Sequence, residues 1–305
     1  MKNAFIILLP ALLLSSIQCK REPAPNTKQI VTETPVAAPL PTPRPAPPPP
    51  PIAHTFLTYR LRPLNKETVS WLRALQSMDT PKVLFALNRV DSNHLMKQDT
   101  LVVPDEFKTD LNSYSPFPDT VPCLKEIHKI ILFSYFLEAF SAYENGTLVR
   151  WGPASMGKRS TPTPVGLYHT NWKAKQTVST DNGEWIMNWY FNLENKKGIS
   201  MHEYDLPGAP ASHACIRLLP DDANWAYHWC DQWILANDTA VAAYGTPVLV
   251  YGRYDFGNRK PWRNLGAGNH TPSLSPYELQ QEASEFLPAI RQRQEQRDSL
   301  AESKR

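Results

Sequence analysis

The sequence predicts a mainly β domain with one embedded helix, preceded by a small α+β module and a long extended N-terminal segment. Three observations carry this. All 12 glycines lie at or after Gly146, so tight-turn chemistry is concentrated in the central part of the chain. Apolar or aromatic runs of strand length recur there, at 129–136, 185–191 and 246–251. Twelve of the 30 prolines fall between Cys19 and Ile52, in a stretch with no glycine and no aromatic residue. Such a segment cannot bury enough apolar surface to offset the entropy of ordering itself.

Lys2, an apolar run over 4–14 and a short polar end describe a secretory signal peptide over 1–18. The run falls short of the about 20 apolar residues that span a bilayer. Leu14-Ser15-Ser16-Ile17-Gln18-Cys19 resembles a bacterial lipoprotein cleavage site, with Ser16 and Gln18 departing from the usual pattern. That resemblance makes Cys19 the lipidation candidate. The proline-rich linker, 19–54, favours polyproline II at ~3.1 Å per residue, a reach of up to roughly 100 Å. It would hold a domain away from a membrane. Lys plus Arg at 32 against Asp plus Glu at 29 leaves +3, which does not point to nucleic acid. Four cysteines in 305 residues exclude a disulfide-built scaffold.

In the small module, 55–118, apolar residues at helical spacing occur at 70–75 and 83–87, with Thr80-Pro81 as a helix start. Leu101-Val102-Val103-Pro104 reads as a strand. No first strand is evident before residue 64. The order Leu84 to Arg89, then His94-Leu95, then Asp99 to Pro104 resembles the second half of a LysM module, with Lys97-Gln98 where Pro-Gly is usual. The resemblance implies glycan binding; a helical packing module is the alternative.

In the central domain, 123–255, the run at 129–136 reads as a buried strand. Asn145-Gly146 between two apolar stretches is a two-residue hairpin signal. Residues 221–235 read as the embedded helix, with Trp225, Trp229 and Trp233 four apart on one face. Residues 211–219 read as a strand. Its period of two would put His213, Cys215 and Arg217 on one face and Ala214, Ile216 and Leu218 on the other, toward the core. A thiol of pKa ~8.5 is little ionised at neutral pH, and an adjacent imidazole and cation favour the attacking thiolate.

His202, then Ser212-His213-Ala214-Cys215-Ile216-Arg217-Leu218, resembles the signature of YkuD-type L,D-transpeptidases, cysteine enzymes of bacterial cell walls. Gly157, Thr161-Pro162-Thr163-Pro164-Val165-Gly166-Leu167-Tyr168 and Gly245-Thr246-Pro247-Val248 support it in order. The resemblance implies a YkuD-like β-sandwich, with Cys215 as nucleophile and His202 as its base. It makes His213 a support for the site or the oxyanion, and assigns Arg217, Ser212 and Ala214 to substrate binding. It implies acyl transfer on peptidoglycan stem tetrapeptides. The alternatives are hydrolysis of the same stems and a non-catalytic peptidoglycan-binding lipoprotein. It implies a periplasmic protein, lipid-anchored in the outer membrane if Cys19 is modified, with peptidoglycan peptide and glycan as partners. The family usually has glycine where this chain has Ala214, and Gly or Ser where it has Glu203.

No cofactor is implied. The pairs His213-x-Cys215 and His228-x-Cys230 suggest zinc on paper, but residues two apart on a helix point about 200° apart, which argues against a metal. Cys123 and Cys230 could form a disulfide only if the fold brings them together. Trp172, Trp185 and Trp189 read as aromatic core, with lining of the substrate groove as the alternative. In the tail, 256–305, Ser275-Pro276-Tyr277-Glu278 has the form of a capping box, opening a helix to about residue 287, where Pro288 interrupts it. The end reads as fraying.

Overall fold

The structure, a computed structural model, describes residues 57–74, 80–179, 183, 185–258, 260–267 and 273–303. The signal segment, the proline-rich linker and Cys19 lie outside the described residues. Those described fall within one unit, Pro47–Arg305.

The chain opens with β1 (Tyr59–Pro63), α1 (Lys66–Ala74), α2 (Thr80–Asn88), α3 (Ser92–Leu95) and β2 (Thr100–Pro104). β1 pairs antiparallel with β2, Leu61 opposite Val102. β1 was not evident in the sequence because Arg60, Arg62 and Pro63 dilute its apolar signal. Asn88 ties α2 to β2: its amide donates to the carbonyls of Leu84 and Val102, and its Oδ1 accepts from Val102 N–H at 2.7 Å.

The central elements are β3 (Lys129–Ser134), β4 (Ala139–Glu144), β5 (Thr147–Ser155), β6 (Gly166–His169), β7 (Lys173–Val178), β8 (Ile186–Glu194), β9 (Ile199–Glu203), β10 (Ile216–Leu218), α4 (Pro220–Trp229), β11 (Ile234–Leu235), β12 (Val241–Ala243) and β13 (Pro247–Tyr251). Nine of the strands form one sheet in the order β6-β13-β3-β4-β5-β10-β9-β8-β7. The sheet curls, so that Ile131 and Phe133 of β3, Phe191 of β8, Met201 of β9 and Ile216 of β10 share one core with Ala223 and Ala226 of α4. The fold is mainly β, as the sequence predicts.

β3 is apolar throughout because both faces are covered. Ile131 and Phe133 face the core inside the curl. Ile130 and Leu132 face a second core, shared with Val83, Ala86 and Leu87 of α2. The β4–β5 turn has Asn145 at φ 48° and Gly146 at φ 75°, the two positive φ values of a type I′ hairpin.

α4 begins with Pro220 and ends at Trp229, where Cys230 turns extended at ψ 142°. The helix is therefore shorter than the four-residue tryptophan spacing predicts. Trp225 and Trp229 stack at 4.8 Å, and Trp233 lies beyond the helix. Cys123 and Cys230 are free thiols, so the possible disulfide is not present. They sit in different cores: Cys230 inside the curled sheet and Cys123 against the outer core.

In the tail, α5 (Pro276–Ala283) carries the expected capping box, Ser275 and Glu278 satisfying each other's N–H groups. α6 (Leu287–Glu302) then starts rather than stops at Pro288, a residue suited to a first turn. Leu287 and Ile290 of α6 are buried in the outer core, so the tail beyond residue 287 is helical and docked. No helix among the described residues is long and apolar enough to cross a membrane.

Candidate active site

β9 and β10 run parallel, with Arg217 opposite His202. Along β9 the side chains alternate: Ile199 and Met201 enter the core, so Ser200 and His202 face the other way. In β10, Ile216 and Leu218 enter the core and Arg217 faces the same side as His202. The site is thus the polar face of two strands whose apolar faces anchor them.

The stretch 211–215 is not a strand. β10 starts at Ile216 because Ala214 adopts φ 76°, which breaks the pleat. The expected alternation through His213, Cys215 and Arg217 fails there. The three side chains nevertheless converge, because the loop folds back. With Ser212, His202 and Tyr204 they line one cavity of about 40 Å³. A larger cavity, about 280 Å³, lies beneath α6 between His169, Tyr244 and Arg293. Its lining carries no cysteine, so the chemistry favours the smaller one.

The catalytic loop is fixed by backbone contacts. Ala211 and Ser212 N–H both donate to Met156 O, at 2.9 and 3.0 Å. Met156 N–H in turn donates to the buried Glu138 carboxylate at 3.0 Å. Thr161 Oγ1 donates to Ser212 O and Thr163 Oγ1 to Ala214 O. The Thr161-Pro162-Thr163 segment therefore acts as a clamp on the loop. Gly157 admits it: a Cβ there would lie 2.2 Å from Thr161 O and 2.4 Å from Thr163 N.

Cys215 is half-buried at the loop's end, its sulfur accepting from Ser200 Oγ at 3.2 Å and lying 3.5 Å from Gly198 O. His202 is 4% exposed. Its Nδ1 lies 2.9 Å from the Glu203 carbonyl, so Nδ1 carries the proton and Nε2 keeps its lone pair. Burial pulls the imidazole down to about 4 against that carbonyl, and the Arg217 charge adds to the lowering. His202 is neutral at neutral pH and able to take a proton. Glu203 contributes its backbone, so a carboxylate beside His202 does not govern the ring.

Arg217 lies over the Tyr204 ring at 4.6 Å and reaches Asp205 O at 3.4 Å. The arginine ion pairs among the described residues belong to Arg60, Arg150, Arg263, Arg291 and Arg297, so the Arg217 fork is not committed to a carboxylate. The N–H groups of His213 and Ala214 meet no acceptor among the described residues. They belong to the two residues that precede Cys215. His213 is exposed, rests on Trp185 at 5.0 Å and accepts from Lys158 Nζ at 2.8 Å. Trp185 thus lines the site rather than filling the core. Ser200 and Lys158 escaped the sequence reading. Both reach the site through contacts distant in sequence, although Ser200 stands two before His202 and shares its face.

The zinc pattern is not assembled. Cys230 is buried in the core and His228 bonds Asn224 O on its own helix. Asp91, His94 and Asp205 do bring three potential ligand atoms within 4.8 Å. However, Asp91 already accepts from His94 at 2.9 Å and from Leu206 N–H at 2.7 Å, so its oxygens are satisfied by protein donors.

Residues 134–250 match the family model of YkuD, the L,D-transpeptidase catalytic domain. L,D-transpeptidase 1 of Mycobacterium tuberculosis is 31% identical over 103 residues, 29% of this chain and 41% of the relative. The match therefore spans less than half of that relative's length. A crystal structure of the same enzyme is similar at 27% identity and TM-score 0.31, covering 41% of this chain and 62% of the other. An L,D-transpeptidase from Mycobacterium smegmatis is similar at 23% identity and TM-score 0.32, covering 41% and 59%.

Proposed function

We propose that the protein is a cell-wall L,D-transpeptidase that uses Cys215 for acyl transfer between peptidoglycan stem peptides. The observation that carries this is the Cys215 sulfur, donated to by Ser200, in one cavity with a buried neutral His202 and an arginine that forms no ion pair among the described residues. A catalytic-domain match over the same residues supports it.

His202 Nε2 takes the thiol proton as Cys215 Sγ attacks the carbonyl carbon at the L-centre of diaminopimelate in a tetrapeptide stem. A C–S bond forms and the amide C–N bond breaks. The leaving D-alanine amine takes the proton back from His202. An amine of a second stem then attacks the thioester, loses its proton to His202 and releases the thiol. The N–H groups of His213 and Ala214 meet the oxyanion. The Arg217 fork holds a substrate carboxylate, and Ser212 braces the loop by donating to Cys215 O.

The module runs from β1 through three helices to β2, with β1 and β2 paired antiparallel; a LysM-type role on glycan is part of the proposal. An envelope location is part of the proposal, with Cys19 as lipid anchor and the proline-rich linker as spacer. Cys19→Ala should move the protein from the membrane fraction to the soluble one; unchanged fractionation rejects the anchor.

Incubation with disaccharide-tetrapeptide and mass spectrometry of the products tests the activity. A cross-linked dimer is expected. Tripeptide alone means hydrolysis, and no product at all supports a wall-binding protein instead.

A further inference from the structure

Lys158 follows Gly157, the residue that lets the clamp close on the catalytic loop. Its main-chain N–H donates to Ser212 O at 3.0 Å, so its backbone is tied to the loop bearing Cys215. Its Nζ lies 2.8 Å from His213 Nε2. An ammonium has three donors and no acceptor. Nε2 must therefore supply the lone pair, and the ring proton must sit on Nδ1. The lysine ion pairs among the described residues belong to Lys82, Lys108 and Lys129. Among the described residues no carboxylate competes with His213 for Lys158.

The other face of the ring rests on Trp185, at 5.0 Å between centroids. His213 is thus held by an indole tilted 40° against its ring and by a cation on its basic nitrogen. Cys215, Arg217, His202 and Tyr204 share its cavity. None of these provides a carboxylate to draw the ammonium away.

We propose that Lys158 is a positioning residue of this site: it fixes His213 as the Nδ1–H tautomer with a cation on Nε2. His213 then has only a donor to offer, and the proton of Cys215 is left to His202. The ammonium also places a fixed positive charge next to the loop that carries the thiol, which favours thiolate. Together with Arg217 it gives the site two cations that form no ion pair among the described residues. The inference rests on the reading of Cys215 as nucleophile, but its test uses no peptidoglycan.

The test is nitrogen NMR of histidine-labelled protein at neutral pH, alongside the rate of Cys215 alkylation by iodoacetamide. In the wild type His213 should show the Nδ1–H pattern. Lys158→Met should shift His213 toward the commoner Nε2–H form and slow alkylation about five-fold. Lys158→Arg should keep the tautomer and restore the rate to within about two-fold. An Nε2–H pattern in the wild type overturns the proposal, and so does alkylation unchanged in Lys158→Met. Because the wild-type spectrum is itself decisive, a variant that misfolds does not rescue the idea. Failure of transpeptidation with disaccharide-tetrapeptide would leave both readouts standing, which separates the two claims.

Discussion

The Ser200 hydroxyl donates to the Cys215 sulfur across 3.2 Å, from a position two residues before His202 on the same strand. Ser200 is fully buried and its hydroxyl also meets Tyr190. A hydrogen bond to a charged acceptor strengthens as charge develops, so this contact favours thiolate over thiol. Ser200→Ala should slow iodoacetamide alkylation of Cys215 about ten-fold, roughly 1.4 kcal/mol of barrier, with little loss of folding stability. An unchanged rate would show that the hydroxyl only fills space.

Ala214 sits at φ 76°, where an L-residue carries a cost of about 1–2 kcal/mol. Glycine is free of that cost but loses more entropy on folding. Ala214→Gly should therefore raise unfolding free energy by about 0.5–1 kcal/mol in urea titrations. Ala214→Val, β-branched in the same conformation, should lower it and slow turnover.

Gly157→Ala should be far more damaging. Its methyl would meet the Thr161 and Thr163 backbone at 2.2 and 2.4 Å, contacts that no side-chain motion relieves. The clamp on Ser212 and Ala214 has to open. The expected result is more than ten-fold loss of turnover on disaccharide-tetrapeptide, with Cys215 still present and alkylatable in the unfolded protein.

Two buried imidazoles make stability depend on pH. Burial, with Arg293 adding, lowers His169 to about 3, and burial with Arg217 lowers His202 to about 4. In the unfolded chain both take a proton near ~6.5. Between that value and the folded ones the unfolded state binds more protons, so stability rises with pH there. It is fully present above ~6.5 and falls on acidification by up to roughly 1.4 kcal/mol per pH unit for each group. Buried Glu138 and Asp222, whose carboxyls burial raises, act in the opposite sense, so the readout is a difference: from pH 7.5 to 4.5 the urea midpoint of the wild type should fall relative to that of His169→Gln. The same shift keeps His202 basic in mild acid. Turnover should persist at pH 5.5 and fall toward pH 4.

Much of this site was legible because short-range patterns carry it. Asn145-Gly146 specified its hairpin. The apolar runs of β3 and β13 specified a doubly covered centre. The segment from Ser212 to Leu218 specified the residues that meet in the cavity. What stayed hidden depends on distant contacts or on one backbone angle. The positive φ of Ala214 turned an expected strand into a loop, yet Thr161, Thr163 and Met156 folded that loop so that the same side chains still converge. Charges in β1 masked a strand whose partner, β2, decides its existence. The tryptophan spacing suggested a longer helix, but the chain turns extended at Cys230 and Trp233 follows with its N–H bonded to Asn171 O. Lys158 is 55 residues from His213, and no local pattern joins them.

Intact-protein mass spectrometry after brief exposure to disaccharide-tetrapeptide tests the central claim most directly. The account predicts that wild-type protein gains the mass of one disaccharide-tripeptide acyl group, localised to Cys215, as free D-alanine appears, and that Cys215→Ala gains none. A Cys215→Ala variant that still releases D-alanine, or an adduct on another residue, would contradict it.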